Sequence, residues 1–268
     1  MYKFVALGAL YNKDNPIFFE ECLKSIKDQT IKIPIYIIID GPICSDLRKV
    51  LTSYESLNIK FFQNEKNLGL AKSLQKAILQ LKGSFDYVLR FDADDINLSE
   101  RFEITQNFVF EHNPDLVSGH MYEINEKSEI FSQRKVPIKY KNFIKYICFR
   151  NPINHPASCF NLNSVIEAGG YEEMPFFEDW FLWSKMVNKG YKIRNIDEYL
   201  VKFRATDSMI RRRFGLNYMK NERNFFLARH RKKLVDRKKN FMAYILRTIS
   251  KFFGFRIYKE FFYLIRKN

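Results

Sequence analysis

Residues 85–95 read FDYVLRFDADD, a short apolar segment that ends in Asp92, Asp94 and Asp95. Its length and composition are typical of a buried β-strand, and open α/β sheets bind ligands at the carboxyl ends of their strands. Carboxylates this close together repel one another, and an Asp-rich turn alone does not require three of them. A hard cation such as Mg²⁺ or Mn²⁺ would neutralise them and leave coordination positions for phosphate oxygens. The stretch therefore predicts a metal-bridged diphosphate at the edge of a sheet.

The first half of the chain repeats this pattern of apolar strand and amphipathic helix. Strands are predicted at 3–10, 34–40, 59–63 and 85–91, and helices at 16–29, 46–56, 70–81 and from a Ser99 cap to 112. The alternation indicates an α/β fold with a Rossmann-like, mostly parallel central sheet flanked by helices. Because parallel strands end at the same edge, Tyr11, Asp40 and the acidic cluster are expected to form one site.

The second half of the chain is less regular. We predict strands at 116–123 and 156–161, helices at 140–149 and 177–189, a short helix ending at Ala168, and helical structure beyond Phe214. The predicted division is an α/β domain at 1–213, with a first half at 1–115 and a second half at 116–213, followed by a basic amphipathic helical region at 214–268.

The positive charge is concentrated at the end of the chain. The net charge is +15, and residues 229–268 carry 13 Lys and Arg against Asp236 and Glu260, or +11, which leaves +4 for the first 228 residues. Basic segments interleaved with aromatic residues suit the surface of an anionic membrane. The alternative is that these helices pack on the catalytic domain.

The predicted cellular location depends partly on sequence features that the chain lacks. The chain contains no run of eighteen uncharged apolar residues, so no transmembrane helix is predicted. The first apolar stretch is too short for a signal peptide, and the four cysteines lack CxxC spacing. We therefore expect a cytoplasmic protein that associates peripherally with the inner face of the plasma membrane.

Glu178 and Asp179 form a second acidic pair, at the start of a predicted helix. Acidic residues there complement the helix dipole, but a carboxylate beside aromatic residues is also suited to remove a proton from a sugar hydroxyl. Trp180 and Trp183 are candidates to stack on a sugar ring. One acidic centre for a metal and one for a base together predict metal-assisted group transfer to a hydroxyl.

Other polar residues have both structural and functional interpretations. Asp40 either shapes a turn with Gly41 or accepts a hydrogen bond from a nucleobase, on which Tyr11 could stack. Arg204 and the arginines at 211–213 either face phosphates or form an exposed basic surface, and His155 is a candidate contact for substrate or metal. Arg90 and Arg101 are expected to have structural roles beside the acidic cluster. Neither GxGxxG nor GxxxxGK[ST] occurs, which argues against a dinucleotide enzyme or a P-loop kinase.

Taken in order over residues 3–213, these motifs resemble those of bacterial family 2 glycosyltransferases with the GT-A fold, of the type that builds capsule, exopolysaccharide or lipopolysaccharide repeats. The matching residues are 9–12, 22–26, 29–30, 40–42, 67–71, 90–95, 101, 155–156, 169–171, 178–180 and 204. The ordered combination is specific, although each piece alone is not. The chain departs from the family at Ala9, where Pro is common, and at Leu74-Gln75, where Arg-Asn is common. Lys72 is the candidate to replace that arginine at the phosphates.

The resemblance implies that residues 1–213 form the catalytic domain, with a nucleotide-binding half at 1–115 and an acceptor-binding half at 116–213. It implies inverting transfer of a hexosyl or N-acetylhexosaminyl group from a UDP-sugar, with Mn²⁺ or Mg²⁺ as cofactor. The implied acceptor is a hydroxyl of a saccharide or of a polyprenol-linked oligosaccharide. By the same resemblance, Asp179 is the catalytic base with Glu178 beside it, and Asp94 binds the metal, assisted by Asp95. The implied nucleotide contacts are Tyr11, Asp40, Asn67 and Asp92, and the further candidates are Lys72, His155, Trp180 and Arg204.

Two alternatives stay open. A sugar-1-phosphate nucleotidyltransferase would also use an α/β fold and a metal, but it is expected to carry a Gly-rich basic loop after the first strand, where this chain has YNKDNP at 11–16. A non-enzymatic RNA-binding protein would explain the basic tail, and its binding would be salt-dependent. That alternative leaves Asp92, Asp94 and Asp179 without a role, so we expect no nucleic-acid partner.

Overall fold

The sheet begins with four parallel strands from the first part of the chain. A computed structural model describes residues 2–267, with side chains described at 2–139 and 142–260. The strands are β1 (Phe4–Leu10), β2 (Ile35–Ile39), β3 (Lys60–Gln63) and β4 (Tyr87–Arg90), and the helices between them are α1 (Pro16–Lys27), α2 (Ser45–Ser53) and α3 (Leu70–Leu81). β1 pairs with β2 and β4, and β2 pairs with β3. The apolar run of β2 is almost entirely buried, as expected for a strand covered on both faces.

The register aligns the ends of these strands. Leu10 lies opposite Ile39, and Leu7 lies opposite Arg90. The residues that follow β1, β2 and β4 therefore leave the sheet at one edge, which is where the sequence placed Tyr11, Asp40 and the acidic cluster. The predicted α/β class, with helices flanking the sheet, is confirmed.

The remaining strands of the sheet pair in both parallel and antiparallel directions. The strands and the helices between them are β5 (Ile96–Asn97), α4 (Arg101–His112), β6 (Leu116–Ile124), β7 (Ile130–Arg134), α5 (Tyr140–Phe149), β8 (Cys159–Asn161), α6 (Leu162–Glu167), α7 (Glu178–Asn188) and β9 (Ile193–Arg204). Over the described residues the strand order is β3-β2-β1-β4-β8-β6-β9-β5, with β7 beside β6. β8 runs antiparallel to both β4 and β6, whereas β6 and β9 are parallel.

Some element predictions were wrong. β5, β7 and β9 were not predicted, and in β9 the exposed pair Asp197-Glu198 interrupts the apolar alternation that marks a strand. The strand predicted at 156–161 is shorter, because residues 155–157 form a single 3₁₀ turn. Ser99 does not cap α4: Glu100 occupies the N-cap position, with no side-chain hydrogen bond there.

The last helices share a core with the α/β part. They are α8 (Asp207–Arg212), α9 (Leu216–Arg231), α10 (Arg237–Phe252) and α11 (Gly254–Lys267). Phe225 of α9 stacks on Phe177 with ring centroids 4.7 Å apart, and Ala243 of α10 is buried in the same cluster. Burying one such Phe stabilises the fold by about 1.5–3 kcal/mol. None of the helices within residues 2–267 is both long enough and apolar enough to cross a membrane.

Candidate functional site

Two buried arginines position the acidic cluster. Arg90 is fully buried; its guanidinium donates to Asp92 Oδ1 at 2.7 Å and to the Leu7 carbonyl on the neighbouring strand. Arg101 donates to the carbonyl oxygen of Arg90 and to Asn97. Both arginines therefore have the structural role that the sequence predicted.

Asp94 and Asp95 face different surroundings. Asp95 is buried; its Oδ1 accepts from the Arg204 backbone N–H at 2.8 Å, and its Oδ2 has no hydrogen-bond partner among the described residues. Burial, followed by repulsion from Asp92, raises the pKa of Asp94 to about 6. Burial and the two neighbouring carboxylates also raise the pKa of Asp95 well above its ordinary value. The cluster therefore resists carrying its full negative charge without a cation.

The donor set fits a cation that is shared with a substrate. Among the described residues, no three His, Cys, Asp or Glu side chains converge into a complete metal site. Mg²⁺ is usually held by one or two carboxylates together with substrate phosphates, so a complete protein cage is not required. The half-buried Asp94, the exposed edge of Asp92 and the unpartnered Oδ2 of Asp95 are oxygen donors of this kind.

A cavity of about 360 Å³ lies at the strand ends, beside this cluster. Its volume is within the range of small-molecule sites. All four residues predicted to contact the nucleotide line it, together with the predicted metal ligand: Tyr11, Asp40, Asn67, Asp92 and Asp94. We refer to it as the strand-end cavity.

Asp40 organises one wall of the strand-end cavity. Its carboxylate accepts hydrogen bonds from the backbone N–H of Leu68 at 2.7 Å and of Gly69 at 2.9 Å, and from Asn64 Nδ2 at 3.1 Å. Gly41 follows with φ of +88°, and a Cβ there would lie 2.7 Å from the backbone nitrogen of Asn67. The turn therefore requires glycine. A carboxylate has about four lone-pair positions, so Asp40 retains one for a ligand.

Asp14 and Arg212 also line this cavity. The Asp14 carboxylate accepts from the Tyr11 backbone N–H at 2.8 Å, and Tyr11 and Arg212 line the same cavity. Burial is the main cause that raises the pKa of Asp14 to about 7, and Asp94 and Asp92 add to it. Asp14 was not among the site residues predicted from the sequence, although its place in the loop after β1 was a usable signal.

A groove of about 460 Å³ continues from the acidic cluster to the second acidic pair. We call it the catalytic groove; Asp92, Asp94, His155, Glu178 and Asp179 line it. Asp179 is oriented by two hydrogen bonds of 2.7 Å, from Asn151 Nδ2 to its Oδ2 and from its neighbour's backbone N–H to its Oδ1. Burial and the charge of Asp179 raise the pKa of Glu178 to about 7. Asn151 was not among the site residues predicted from the sequence.

His155 lies against the groove in a buried position. Its Nε2 is 2.9 Å from the Tyr171 hydroxyl and 3.5 Å from Nε of Arg90. Burial and the charge of Arg90 both lower the pKa of His155. The ring is thus a neutral group with Nε2 already engaged, and its predicted contact with substrate or metal stays a prediction.

Arg204 is among the residues that line the catalytic groove, but its guanidinium is engaged by the protein itself. Its side chain is fully buried, pairs with Glu21, and donates to the carbonyl oxygens of Asp94 at 2.9 Å and Asn125 at 2.9 Å. Its guanidinium is therefore fully used in holding the acidic loop against β9. Of the three arginines that follow, Arg212 faces the strand-end cavity, while Arg211 lies over the Phe255 ring at 4.5 Å.

Two tryptophans and a lysine also differ from expectation. Trp183 is completely buried, so the expected stacking on a sugar is wrong for this residue. Trp180 is almost fully buried and its Nε1 donates to the Ile147 carbonyl at 3.0 Å. Lys72 pairs with Glu173 at 2.9 Å and is absent from the described lining of both the strand-end cavity and the catalytic groove.

The known sequences that this chain resembles are those of glycosyltransferases. The sequence model described as "Glycosyl transferase family 2" matches residues 9–170, more than half of the chain. The chain is 37% identical over 227 residues to the Escherichia coli protein named UDP-Gal:alpha-D-GlcNAc-diphosphoundecaprenol beta-1,3-galactosyltransferase, covering 82% of this chain and 80% of that protein. It is 31% identical over 251 residues to amylovoran biosynthesis glycosyltransferase AmsE of Erwinia amylovora, covering 92% and 93%.

Solved structures share the fold at low sequence identity. S. aureus TarS 1–349 in complex with UDP-GlcNAc matches with a TM-score of 0.62 and 17% identity, over 90% of this chain and 70% of that chain. The mannosyltransferase PcManGT from Pyrobaculum calidifontis, in complex with GDP-Man and Mn²⁺, matches with a TM-score of 0.56 and 13% identity, over 94% and 76%. These likenesses confirm the predicted GT-A architecture.

Proposed function

The chain belongs to glycosyl transferase family 2, and from this premise we propose a specific reaction for it. It transfers a sugar with inversion from a UDP-sugar to a hydroxyl of a lipid-linked saccharide, during synthesis of a surface polysaccharide. The observation that carries the proposal is the continuity of the strand-end cavity with the catalytic groove. Asp92 and Asp94 line both, so a nucleotide diphosphate in one lies beside Asp179 in the other.

The donor side of the proposal assigns the strand-end cavity to UDP. Tyr11, Asn67 and the free lone pair of Asp40 contact the base, and Asp92 lies towards the ribose. Asp94, with Asp92 and Asp95 near it, would hold Mn²⁺ or Mg²⁺, which supplies positive charge to the departing diphosphate. Arg212 adds a cation from the opposite wall. The names of the Escherichia coli relative and of the TarS complex support a UDP-sugar, and the Mn²⁺ in the PcManGT complex supports a divalent cation.

The acceptor side of the proposal assigns the general base to Asp179. Its carboxylate accepts the proton of the acceptor hydroxyl, while the hydroxyl oxygen attacks the anomeric carbon and the bond from that carbon to the diphosphate oxygen breaks. Asn151 holds Asp179 in place during the transfer through its 2.7 Å hydrogen bond. A single displacement of this kind inverts the anomeric centre and needs no enzyme nucleophile.

The acceptor is proposed to be membrane-bound because α10 has an exposed apolar face. Phe241, Ile245, Ile249 and Phe252 recur at helical spacing on that face and are all exposed, and Phe253 extends it. Exposed basic residues at 237–239 and 256 flank it, each worth about 1 kcal/mol near an anionic surface. Both relatives named above support a role in polysaccharide assembly, and one is named for a diphosphoundecaprenol-linked substrate.

A thermal-shift screen of nucleotide sugars tests the donor assignment. A ligand that binds only the folded state raises the melting temperature, by an amount equivalent to about 2.7 kcal/mol at a concentration of one hundred times its Kd. We expect UDP-sugars with Mn²⁺ to stabilise the protein, and Asp94→Ala to remove the Mn²⁺-dependent part. Stabilisation by GDP-sugars or CMP-sugars alone would contradict the proposed donor.

A further inference from the structure

A third cavity, of about 160 Å³, lies next to the catalytic groove and is strongly basic. Five cationic side chains line it: Arg134, Arg150, Arg213, Arg247 and Lys251. Asp179 is the sole carboxylate among the described residues of the lining. We call it the basic cavity. The base assignment above uses Asp179 and Asn151 of this lining, and neither the donor nor the base assignment uses its five cationic side chains.

The inner wall of the basic cavity has more positive than negative charge. Glu222 is buried and pairs with two cations, Arg247 through Nε at 2.7 Å and Lys251 through Nζ. One carboxylate therefore neutralises only one of the two cations, which leaves one positive charge uncompensated. The region is buried, since the Lys251 side chain is 2% exposed. Burying an excess charge costs free energy that a bound anion would offset.

The basic cavity and the catalytic groove share part of their walls. Asn151, Asp179, Arg134 and Arg213 line both. An anion in the basic cavity therefore lies beside the base that accepts the proton of the acceptor hydroxyl. The anion would belong to the acceptor, because the donor diphosphate occupies the strand-end cavity on the other side of the groove.

α10 connects the basic cavity to the apolar surface. Arg247, Ser250 and Lys251 of this helix line the cavity, whereas Leu246, Ile249 and Phe252 of the same turns are exposed on its outer face. Moving outward from Asp179, the surface thus changes from polar groove to cationic cavity to apolar helix face.

We propose that the basic cavity binds the diphosphate of a lipid-linked acceptor, with its sugar at Asp179 and its lipid along the outer face of α10. This inference rests on the proposed function and identifies how its acceptor is recognised. Arginine donors match phosphate oxygens in charge and geometry. A volume of 160 Å³ equals on the order of five waters of liquid, which suits a diphosphate and is below the roughly 300 Å³ at which typical small-molecule pockets begin.

Calorimetric titration with farnesyl diphosphate, in the presence of saturating UDP and Mg²⁺, tests the inference. Farnesol, farnesyl monophosphate and inorganic pyrophosphate serve as comparison ligands. We expect farnesyl diphosphate to bind at least tenfold more tightly than each of them, because only it carries both the diphosphate and an apolar chain. Arg150→Gln should weaken the binding of farnesyl diphosphate by at least tenfold, since a hydrogen bond from a charged group is lost. Arg150→Lys should lose less affinity than Arg150→Gln, because it keeps the charge but not the paired donors of arginine.

Arg150 suits this test because it is peripheral to the buried Glu222 network, lying over the Tyr146 ring at 5.2 Å. The matched control is Arg223→Gln, which removes the same charge from an exposed site on α9 and should leave the affinity unchanged. Equal affinity of wild type for farnesyl diphosphate and farnesol would overturn the inference, and this arm needs no variant. Competition with UDP would also overturn it. A wild-type protein that fails to bind UDP would instead contradict the proposed function.

Discussion

Glu178 and Asp179 are adjacent carboxylates with different surroundings. Asp179 is fixed by Asn151, whereas burial and the charge of Asp179 hold the pKa of Glu178 near 7. We expect Asp179→Asn to lower kcat by about 10²–10⁴-fold, the usual contribution of a general base, with UDP affinity unchanged. Glu178→Gln should retain most of the activity. Steady-state kinetics with the same acceptor, combined with UDP titration, measures both effects.

If Glu178→Gln lowered kcat more than Asp179→Asn, the general base would be Glu178 instead of Asp179. A third variant, Asn151→Ala, separates orientation from chemistry, because it leaves the Asp179 carboxylate in place but removes its 2.7 Å partner. We expect an intermediate loss in kcat with little change in UDP affinity. Full activity in Asn151→Ala would show that the orienting hydrogen bond has no part in the transfer.

The raised pKa values in the acidic cluster give metal binding a defined pH dependence. The pKa of Asp94 is about 6 and that of Asp14 about 7, both above the ordinary 3.8 of Asp. These groups take up protons in the folded state as the pH falls through 7 towards 4, so they stabilise the metal-free protein on acidification. A metal ligand must be deprotonated, so the opposite holds for the Mn²⁺ complex.

We therefore expect the increase in Tm produced by Mn²⁺ and UDP to be large at about pH 8 and to shrink below about pH 6. Differential scanning fluorimetry across this range measures it. Asp94→Asn is the control, because it should lose most of the Mn²⁺-dependent increase at every pH. An increase in wild type that is independent of pH between these limits would contradict a cation bound at Asp94.

Arg204 connects the end of β9 to the acidic loop and to Glu21 of α1. Arg204→Lys keeps the charge but cannot reproduce the hydrogen bonds to Asp94, Asn125 and Glu21 together. We expect a loss of roughly 2–4 kcal/mol in the free energy of unfolding, because buried partners lose their donors. Urea denaturation measures it. Arg194→Lys, on the exposed side of the same strand, should change stability by less than about 0.5 kcal/mol.

The elements that the sequence predicted well are those with a strong local signal. A few consecutive residues are enough to recognise the apolar runs of β1, β2 and β4 and the periodicity of α3. The same is true of the acidic cluster that follows β4. β9 was not predicted because its alternation is broken at Asp197, and its pairing with β6 comes from distant parts of the chain. A short local pattern cannot reveal such pairing.

The same distinction applies to the site. Asp92, Asp94 and Asp179 were identifiable from residue type and position. The contacts of Arg204 with Asp95, 109 residues away, and of Asn151 with Asp179, 28 residues away, depend on how the elements are placed together. For Arg204, the sequence left a phosphate contact and an exposed basic surface as alternatives. Tertiary structure buries its side chain and leaves Arg212 beside the strand-end cavity.

The C-terminal helices combine packing on the rest of the protein with an exposed apolar face, two properties that the sequence presented as alternatives. α9 and α10 pack on the catalytic part through Phe225, Phe226 and Ala243, while α10 leaves an apolar face exposed between basic residues. Packing fixes the orientation of that face relative to the catalytic groove. A membrane bound there would therefore hold a lipid-linked acceptor in a constant position near Asp179.

We expect the double variant Phe252→Ser/Phe253→Ser, on the apolar face of α10, to weaken binding to vesicles containing anionic lipid by at least tenfold. Each Phe that enters the interface contributes up to about 1.5–3 kcal/mol, and both side chains are exposed in the structure, so their removal should not disturb the core. Leu216→Ser is the matched control, because Leu216 is also exposed and apolar but lies on α9. Vesicle sedimentation at low and high salt measures binding. High salt should weaken the binding of wild type and of both variants, because the basic residues beside the apolar face act through their charge. Unchanged sedimentation of the double variant, or an equal loss in Leu216→Ser, would show that α10 does not form the membrane contact.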